Sequence, residues 1–160
     1  MKTHWKGLTP KPDDFFGFVY IISNNIDDRK YIGKKQYWMS KPKSPKSKVT
    51  DRTSPKWNPK HWKEGVWKNY TGSSKELNAD IKRLGKKNFD FEIVGQYEAR
   101  GSLYYGEVEW QVKLNCLTEK VENGRRFYNK QIAAVRFIPP EARCKETEER
   151  LRKELQWKYL

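Results

Sequence analysis

The chain has 160 residues, the length of a single domain, and its formal net charge of +14 is large for that size. A surplus of this kind favours a polyanionic partner, most commonly nucleic acid. The chain contains no apolar run near the ~18–20 residues that cross a bilayer, and residues 1–6 lead into no hydrophobic signal core. We therefore expect a cytoplasmic protein with no membrane partner.

The first predicted element is a β-hairpin over residues 17–35. Residues 18–22 are β-branched and aromatic, and a polar turn rich in Asn and Asp separates them from a second strand pattern. Since side chains alternate along a strand, Tyr31 and Lys35 share one face. The hairpin therefore predicts the hydroxyls of Tyr20 and Tyr31 close together, beside an ammonium group. The alternative is an ordinary amphipathic hairpin with two packing tyrosines.

Residues 36–70 form a basic insert that is interrupted by four prolines. From Lys41 to Tyr70 there are nine Lys or Arg residues against two acids, a local net charge of +7. This concentration of charge favours an arm that follows DNA phosphates, with its tryptophans against sugars or bases. A solvated, partly disordered loop pinned by its tryptophans is the alternative. The candidate DNA-binding side chains are Lys34, Lys41, Lys43, Lys46, Lys48, Arg52, Lys56 and Lys60.

A helix and a strand are predicted after the basic insert. Ser73 and Glu76 have the spacing of a capping box, and Gly85 is a natural end for the helix. Residues 89–94 alternate apolar and polar side chains, as in a strand with one buried face. The pattern of strands and helices in one short chain predicts an α+β domain.

A second helix is predicted over residues 103–115, with Ser102 as its N-cap. Glu107 lies in the middle of that helix, where a carboxylate is either simply solvated or placed for chemistry. Residues 132–135 are apolar and are expected to close the core. The segment 139–160 begins with two prolines and continues as a charged helix, so we expect the domain to span residues 1–138.

The order hairpin, basic insert, helix, strand, helix resembles that of the GIY-YIG nucleases, over roughly residues 17–132. Five motifs carry the resemblance: residues 18–20, residues 31–33, the passage 72–93, the helix around Glu107, and the pair Tyr128-Asn129. Ten residues separate the tyrosines of the first two motifs, as the family prefers. The long basic insert is most similar to the phage-encoded, homing-type branch.

The resemblance implies a small three-stranded antiparallel sheet flanked by helices, with a long basic insert and a C-terminal helix. It also implies a metal-dependent endonuclease that hydrolyses phosphodiester bonds of double-stranded DNA in a bacterial host. A site with one carboxylate suits Mg²⁺, or another divalent cation such as Mn²⁺, because Mg²⁺ binds through few carboxylates and keeps several waters. The oligomeric state stays open, with a monomer as one option.

The resemblance also implies roles for the site residues. Tyr20 would activate or orient the attacking water, Tyr31 would assist, Glu107 would hold the metal ion, and Asn129 would brace the site. A tyrosine has an ordinary pKa of about 10. To act as a base, Tyr20 would need positive charge nearby, which Lys35 and the metal ion would supply.

This chain departs from the family after residues 31–33, where many members carry an arginine and a histidine that face the scissile phosphate. Lys35 is the predicted substitute, with Arg52 a distant second. The missing motif keeps a second interpretation open, a catalytically inactive nucleic-acid-binding protein on the same fold. A basic RNA-binding protein is a third, which competition between duplex DNA and RNA at fixed salt would test.

Overall fold

A computed structural model of the chain describes residues 2–122, 124–133, 149–150 and 153–154. Over residues 2–133, where described, the chain forms an α+β domain with one main sheet, two small two-stranded sheets and two α-helices. The strands are β1 Lys6–Gly7, β2 Gly17–Asn24, β3 Lys30–Gln36, β4 Trp38–Ser40, β5 Trp62–Glu64, β6 Phe89–Tyr97, β7 Lys120–Val121 and β8 Gly124–Arg125; the helices are α1 Lys75–Leu84 and α2 Arg100–Lys113. None of the helices in the described residues is both long and apolar enough to cross a membrane.

The main sheet has the strand order β1-β6-β2-β3. Strands β6, β2 and β3 are antiparallel, as predicted, and form the predicted hairpin with a third strand beside it. The lead-in adds a fourth strand that was not predicted, since β1 pairs parallel to β6 and makes the sheet mixed. The buried Trp5 anchors this lead-in, since its indole Nε1 donates a 2.7 Å hydrogen bond to the carbonyl of Trp67.

The central strand β2 is buried on both faces because a helix covers each side of the sheet. Tyr20 faces one side, where it joins a cluster that includes Leu77 of α1. Val19 faces the other side, where it joins a cluster that includes Leu103 of α2. The alternation of side chains along β2 therefore sends the two faces of one strand into two separate cores.

The start of α1 differs from the predicted capping box. Ser74, not Ser73, is the N-cap, and its Oγ accepts a 3.2 Å hydrogen bond from the backbone N–H of Leu77. Ser73 instead bonds the hydroxyl of Tyr31, and Glu76 pairs with Arg29. Adjacent serines offer two equivalent caps in sequence, and a tertiary partner decides which one is used.

The ends of the helices follow capping rules with one further correction. Gly85 ends α1 as predicted, with a φ of 92° that favours glycine. The second helix begins at Arg100, three residues before the predicted start, with Ala99 as its N-cap. Ser102 lies inside the first turn, where its hydroxyl bonds the Ala99 carbonyl at 2.9 Å. The serine therefore supports the helix start from within the helix.

The basic insert is folded, with the short sheet β4-β5 at its base. Trp57 stacks on Trp62 with ring centroids 4.9 Å apart, and both pack against the core on the α2 side of the sheet. The guanidinium of Arg52 lies over the rings of Trp38 and Trp57, at 4.8 and 4.6 Å. These tryptophans serve the fold, so the prediction that they contact sugars or bases loses its support.

The predicted C-terminal features lie mostly outside the described residues. Ile132 packs against the core as expected and Ala133 is exposed, whereas residues 134 and 135 lie outside the described residues. Within 139–160 only four residues are described, and all four are helical: Glu149, Arg150, Lys153 and Glu154. Arg150 and Glu154 form an i,i+4 ion pair at 2.8 Å.

His4 makes the fold sensitive to mild acid. Its ring stacks on Phe91 at 4.0 Å, and burial, with Lys86 nearby, lowers the pKa of His4 from 6.5 to about 4. The unfolded chain therefore binds more protons between these values, so the domain should lose stability as pH falls from 6.5 towards 4. We expect the phenyl ring of His4→Phe to keep the stack on Phe91. The melting temperature of this variant should fall less between pH 7 and pH 5 than that of wild type. Equal losses in both proteins would show that His4 is not responsible.

Candidate active site

A cavity of about 520 Å³ opens beside β3, the edge strand of the main sheet. Tyr31, Lys34 and Glu107 line it, together with the first turn of α1 and the segment 128–131. Strand β3 presents Tyr31 on one face of the sheet and Lys34 on the other. The cavity therefore collects side chains from both faces around the end of the sheet.

The two tyrosines of the hairpin lie together, as predicted. Their ring centroids are 6.2 Å apart, and Tyr20 lies directly across the sheet from Gly33. A Cβ at Gly33 would come within 2.4 Å of the Tyr20 hydroxyl, and one at Gly72 within 3.3 Å. These two glycines therefore leave the space in which the Tyr20 hydroxyl sits.

The two tyrosines differ in their surroundings. The Tyr31 hydroxyl is 3.1 Å from the Oγ of Ser73. Tyr20 is only 1 % exposed, and its hydroxyl lies beside Gly33 and Gly72. Burial raises the pKa of Tyr20 well above its usual value and also raises the pKa of Tyr31. Both hydroxyls are therefore protonated at neutral pH.

The lysines at positions 34 and 35 point to opposite faces of the sheet. The ammonium of Lys34 donates a 2.9 Å hydrogen bond to the Glu107 carboxylate, in a partly buried ion pair. The ammonium of Lys35 lies 4.2 Å from the ring centroid of Tyr70, and burial lowers the pKa of Lys35. Lys34, which we expected only to bind DNA, therefore lies beside the catalytic candidates.

Asn129 fastens the segment 128–131 to the edge of β3. Its Oδ1 accepts a 2.9 Å hydrogen bond from the N–H of Ile32, and its Nδ2 donates a 2.8 Å hydrogen bond to the Ile32 carbonyl. Because Ile32 belongs to an edge strand, these two backbone groups would otherwise lack a strand partner. The amide side chain takes the place of a neighbouring strand and fixes the position of the residues on either side of Ile32.

The oxygen donors at the cavity fit a hard divalent cation. Glu107 and Gln111 lie one turn apart on α2 and both line the cavity. The Oε1 of Gln111 is buried and has no hydrogen-bond partner within the described part of the chain. Among the described residues no three His, Cys, Asp or Glu side chains converge. The other carboxylate that lines the cavity, Glu76, is paired with Arg29 at 2.7 Å, so a cation here would rely on Glu107. A site with one carboxylate suits Mg²⁺.

The rim of the cavity is suited to an anion. The first turn of α1 lines it, and the N-terminus of a helix carries partial positive charge. Lys75 and Lys130 also line it, and the ammonium of Lys130 lies 3.7 Å from the Glu76 carboxylate. A phosphate group entering the cavity would thus meet positive charge from three sides: α1, Lys130 and Lys34.

Four of the five predicted catalytic residues lie at or directly behind the cavity, namely Tyr20, Tyr31, Glu107 and Asn129. Lys35 lies on the Tyr70 ring and does not line the cavity. Sequence reasoning missed Ser73 and Gln111. The i,i+4 spacing from Glu107 could have found Gln111, since residues at that spacing share a helix face.

Apart from Lys34, the predicted DNA-binding residues fall into two groups. One group is exposed on the basic insert: Lys41, Lys43, Lys46, Lys56 and Lys60. The residues of the other group already contact other parts of the protein. The Lys48 ammonium donates a 2.9 Å hydrogen bond to the Pro45 carbonyl, and the Arg52 guanidinium lies over two tryptophan rings. Arg52 also bonds the Pro12 carbonyl at 3.1 Å, so its guanidinium is committed to the fold.

The chain is thus an α+β domain in which a tyrosine of the β2-β3 hairpin and a glutamate of α2 line one cavity. The model of the family described as "Putative endonuclease segE, GIY-YIG domain" matches residues 2–132. The chain belongs to this GIY-YIG endonuclease family. Searches of curated proteins and of solved structures gave no match.

Proposed function

We propose that this protein is a metal-dependent DNA endonuclease, homing-type or otherwise phage-encoded, that hydrolyses phosphodiester bonds with Mg²⁺ or Mn²⁺. Family membership supports the nuclease activity in general. The observation that carries the finer proposal is the convergence of Tyr31, Lys34 and Glu107 on one cavity with a positive rim. Binding alone needs neither a buried tyrosine hydroxyl nor a carboxylate in a surface that attracts phosphates.

The side chains can share the work of hydrolysis. The protonated hydroxyl of Tyr20 would donate a hydrogen bond to a phosphate oxygen, with Tyr31 beside it. As the water oxygen bonds to phosphorus and the bond to the leaving oxygen breaks, the proton of the water would pass to solvent and the leaving oxygen would take a proton from solvent. Lys34 would turn from Glu107 to a phosphate oxygen once Glu107 has another positive partner. A divalent cation bound at Glu107 would polarise the phosphate and offset the charge that develops on it. Asn129 would hold β3, and with it Tyr31 and Lys34, in place.

Incubation with supercoiled plasmid tests the proposal. We expect nicked or linear product with Mg²⁺ and none with EDTA. The matched control is Glu107→Gln, prepared in the same way, because a contaminating nuclease would cut in both preparations. Intact plasmid with wild type at every Mg²⁺ and Mn²⁺ concentration would overturn the proposal.

A catalytically inactive DNA-binding protein is the second candidate. The observation that favours it is the ion pair between Lys34 and Glu107, which already neutralises the one carboxylate available to a cation. The two candidates differ in cation binding. The measurement is a calorimetric titration of the protein with Mn²⁺. An endonuclease should bind Mn²⁺, and Glu107→Gln should abolish this binding. A purely structural carboxylate should give no binding.

Lys34 and Lys35 can be told apart as candidates for the missing cationic role. We expect Lys34→Met to slow cleavage about 10- to 100-fold, because a charge-assisted hydrogen bond is worth about 1.5–3 kcal/mol. The same variant should bind Mn²⁺ more tightly, since the ammonium no longer occupies Glu107. Lys35→Met is the matched control on the opposite face of β3 and should cut normally. The reverse result would return the cationic role to Lys35.

The exposed lysines of the basic insert should set the affinity for DNA. We expect replacement of Lys41, Lys43 and Lys46 with Ala to lower the slope of log K against log salt by about 2.7, at roughly 0.9 per phosphate contact. Fluorescence anisotropy with labelled duplex DNA at several salt concentrations measures it. The control changes the same number of exposed lysines near the C-terminus of α1: Lys82, Lys86 and Lys87. Equal slopes in the two variants would show that only total charge matters.

A further inference from the structure

The exposed face of α2 carries an apolar stripe that the proposed mechanism does not use. Tyr104 is 47 % exposed, Tyr105 is 68 % exposed, and Val112 is 58 % exposed. With Val108 they lie within about 100° of one another around the helix, at 100° per residue. A contiguous exposed surface of large apolar side chains is typical of an interaction site.

The two tyrosines stand out among the aromatic residues of this chain. The sequence has seven Trp, nine Tyr and seven Phe residues. Among the described residues, Tyr104 and Tyr105 are the only aromatic side chains that are largely exposed. The tryptophans of the basic insert, which were the first candidates for contact with bases, are packed in the fold. Tyr104 and Tyr105 of α2 are therefore the exposed rings on which a ligand could stack.

The stripe adjoins the catalytic candidates. Tyr104 lies one turn before Glu107 on the same helix. The ammonium of Lys34, which pairs with Glu107, lies 4.5 Å from the ring centroid of Tyr104. A ligand whose phosphate occupied the cavity would thus have its neighbouring nucleotides within reach of this aromatic surface.

We infer that Tyr104 and Tyr105 form a stacking surface for unpaired nucleobases next to the scissile phosphate. The inference rests on the proposed function, since it assigns the partner of the same site. A nucleobase is the occupant because the chain carries a net charge of +14, which favours DNA over another copy of this protein. Tyrosine rings stack on every kind of base, so this contact adds affinity without reading sequence. Bases become available for it where the duplex opens at the site of cleavage.

The test measures binding without cleavage. Labelled (dT)20 and a 20-base-pair duplex are titrated with protein in EDTA, and affinity is followed by anisotropy at several salt concentrations. We expect the double variant Tyr104→Ala with Tyr105→Ala to bind (dT)20 about 10- to 100-fold more weakly. The effect on the duplex should be smaller because its bases are stacked. The salt slope should not change, since no phosphate contact is lost.

Three further proteins sharpen the result. The double Phe variant of the two tyrosines should bind within about threefold of wild type, because the rings remain. Tyr105→Ala alone should also weaken binding, which separates stacking from any loss of the Lys34 contact to Tyr104. The control replaces Leu8 and Ile26 with Ala; these side chains are 46 % and 59 % exposed and do not line the cavity. It should bind as wild type does.

Several outcomes would overturn the inference. One is unchanged affinity in the double Ala variant, and another is a double Phe variant as weak as the double Ala variant. Loss of self-association on sedimentation, with DNA affinity unchanged, would assign the stripe to contact between copies of the chain. A wild-type protein that binds no DNA would instead refute the proposed function. A wild type that binds and cuts DNA while the tyrosines have no effect would refute this inference alone.

Discussion

Glu107→Gln is expected to remove cleavage altogether while the domain still folds and still binds DNA. The carboxylate projects from α2 into the cavity, where its contact is the Lys34 ammonium at 2.9 Å. Glutamine keeps the size and the hydrogen-bonding oxygen but not the charge, so the packing of α2 should survive. Among the described residues, a divalent cation would then find no carboxylate in the cavity except Glu76, which pairs with Arg29 at 2.7 Å.

The measurement is plasmid cleavage over a wide range of Mg²⁺ concentrations. Activity should stay below detection even at high Mg²⁺, because the lost charge cannot be restored by mass action. DNA affinity should be equal to or higher than that of wild type, since one negative charge has gone from a surface that binds phosphate. Unfolding by urea should show a loss of about 1 kcal/mol, because the substitution removes the ion pair with Lys34 but keeps a hydrogen-bonding oxygen.

Glu109→Gln is the matched control, two residues away on the same helix. Its carboxylate does not line the cavity and lies 3.6 Å from the ammonium of Lys113, in an i,i+4 pair. The substitution removes the same charge from the same helix, so full activity is expected. An inactive Glu109→Gln beside an active Glu107→Gln would mean that the cation is held from another face of α2.

The parts of the fold that follow local rules could be predicted from sequence. The alternation of residues 18–22 and 31–35 placed Tyr20 and Tyr31 together, and the structure confirms it. Gly85 ended α1 because a positive φ there favours glycine. Of the two alternatives for Glu107 in the middle of the helix, simple solvation is ruled out, since its carboxylate bonds Lys34 of the hairpin.

The parts that depend on tertiary partners could not be predicted. Ser73 and Ser74 are equivalent caps in sequence, and only the position of Tyr31 decides between them. Lys34 and Lys35 differ only in face, and the sequence does not say which side of the sheet α2 covers. Strand β1 has two residues, too few for any periodic pattern. The basic insert has the composition of a loop, and its order comes from ring contacts among Trp38, Trp57 and Trp62 that composition does not reveal.

Tyr20→Phe is the second large effect, and it tests how the hydroxyl acts. Only an oxygen is removed, from a side chain that packs among Trp5, Phe18 and Tyr70, so folding should be unchanged. Loss of one hydrogen-bond donor at a developing charge costs about 10²–10³ in rate. We therefore expect single-turnover cleavage to slow by that factor while DNA affinity stays constant. The plasmid assay at saturating protein measures it, and a near-normal rate would make Tyr20 a packing residue.

The pH dependence separates a donor from a base. Burial raises the pKa of Tyr20, so its hydroxyl stays protonated across the pH range of the assay. Ionisation of Tyr20 should therefore cause no rise of the wild-type cleavage rate with pH. A hydroxyl that donates a hydrogen bond gives wild type and Tyr20→Phe parallel profiles between pH 6 and 9, offset by a constant factor. A tyrosinate base would instead make the wild-type rate rise with pH, whereas the rate of Tyr20→Phe would not change with pH. Convergence of the two profiles at low pH would therefore assign Tyr20 as the base and require a nearby positive charge that outweighs its burial.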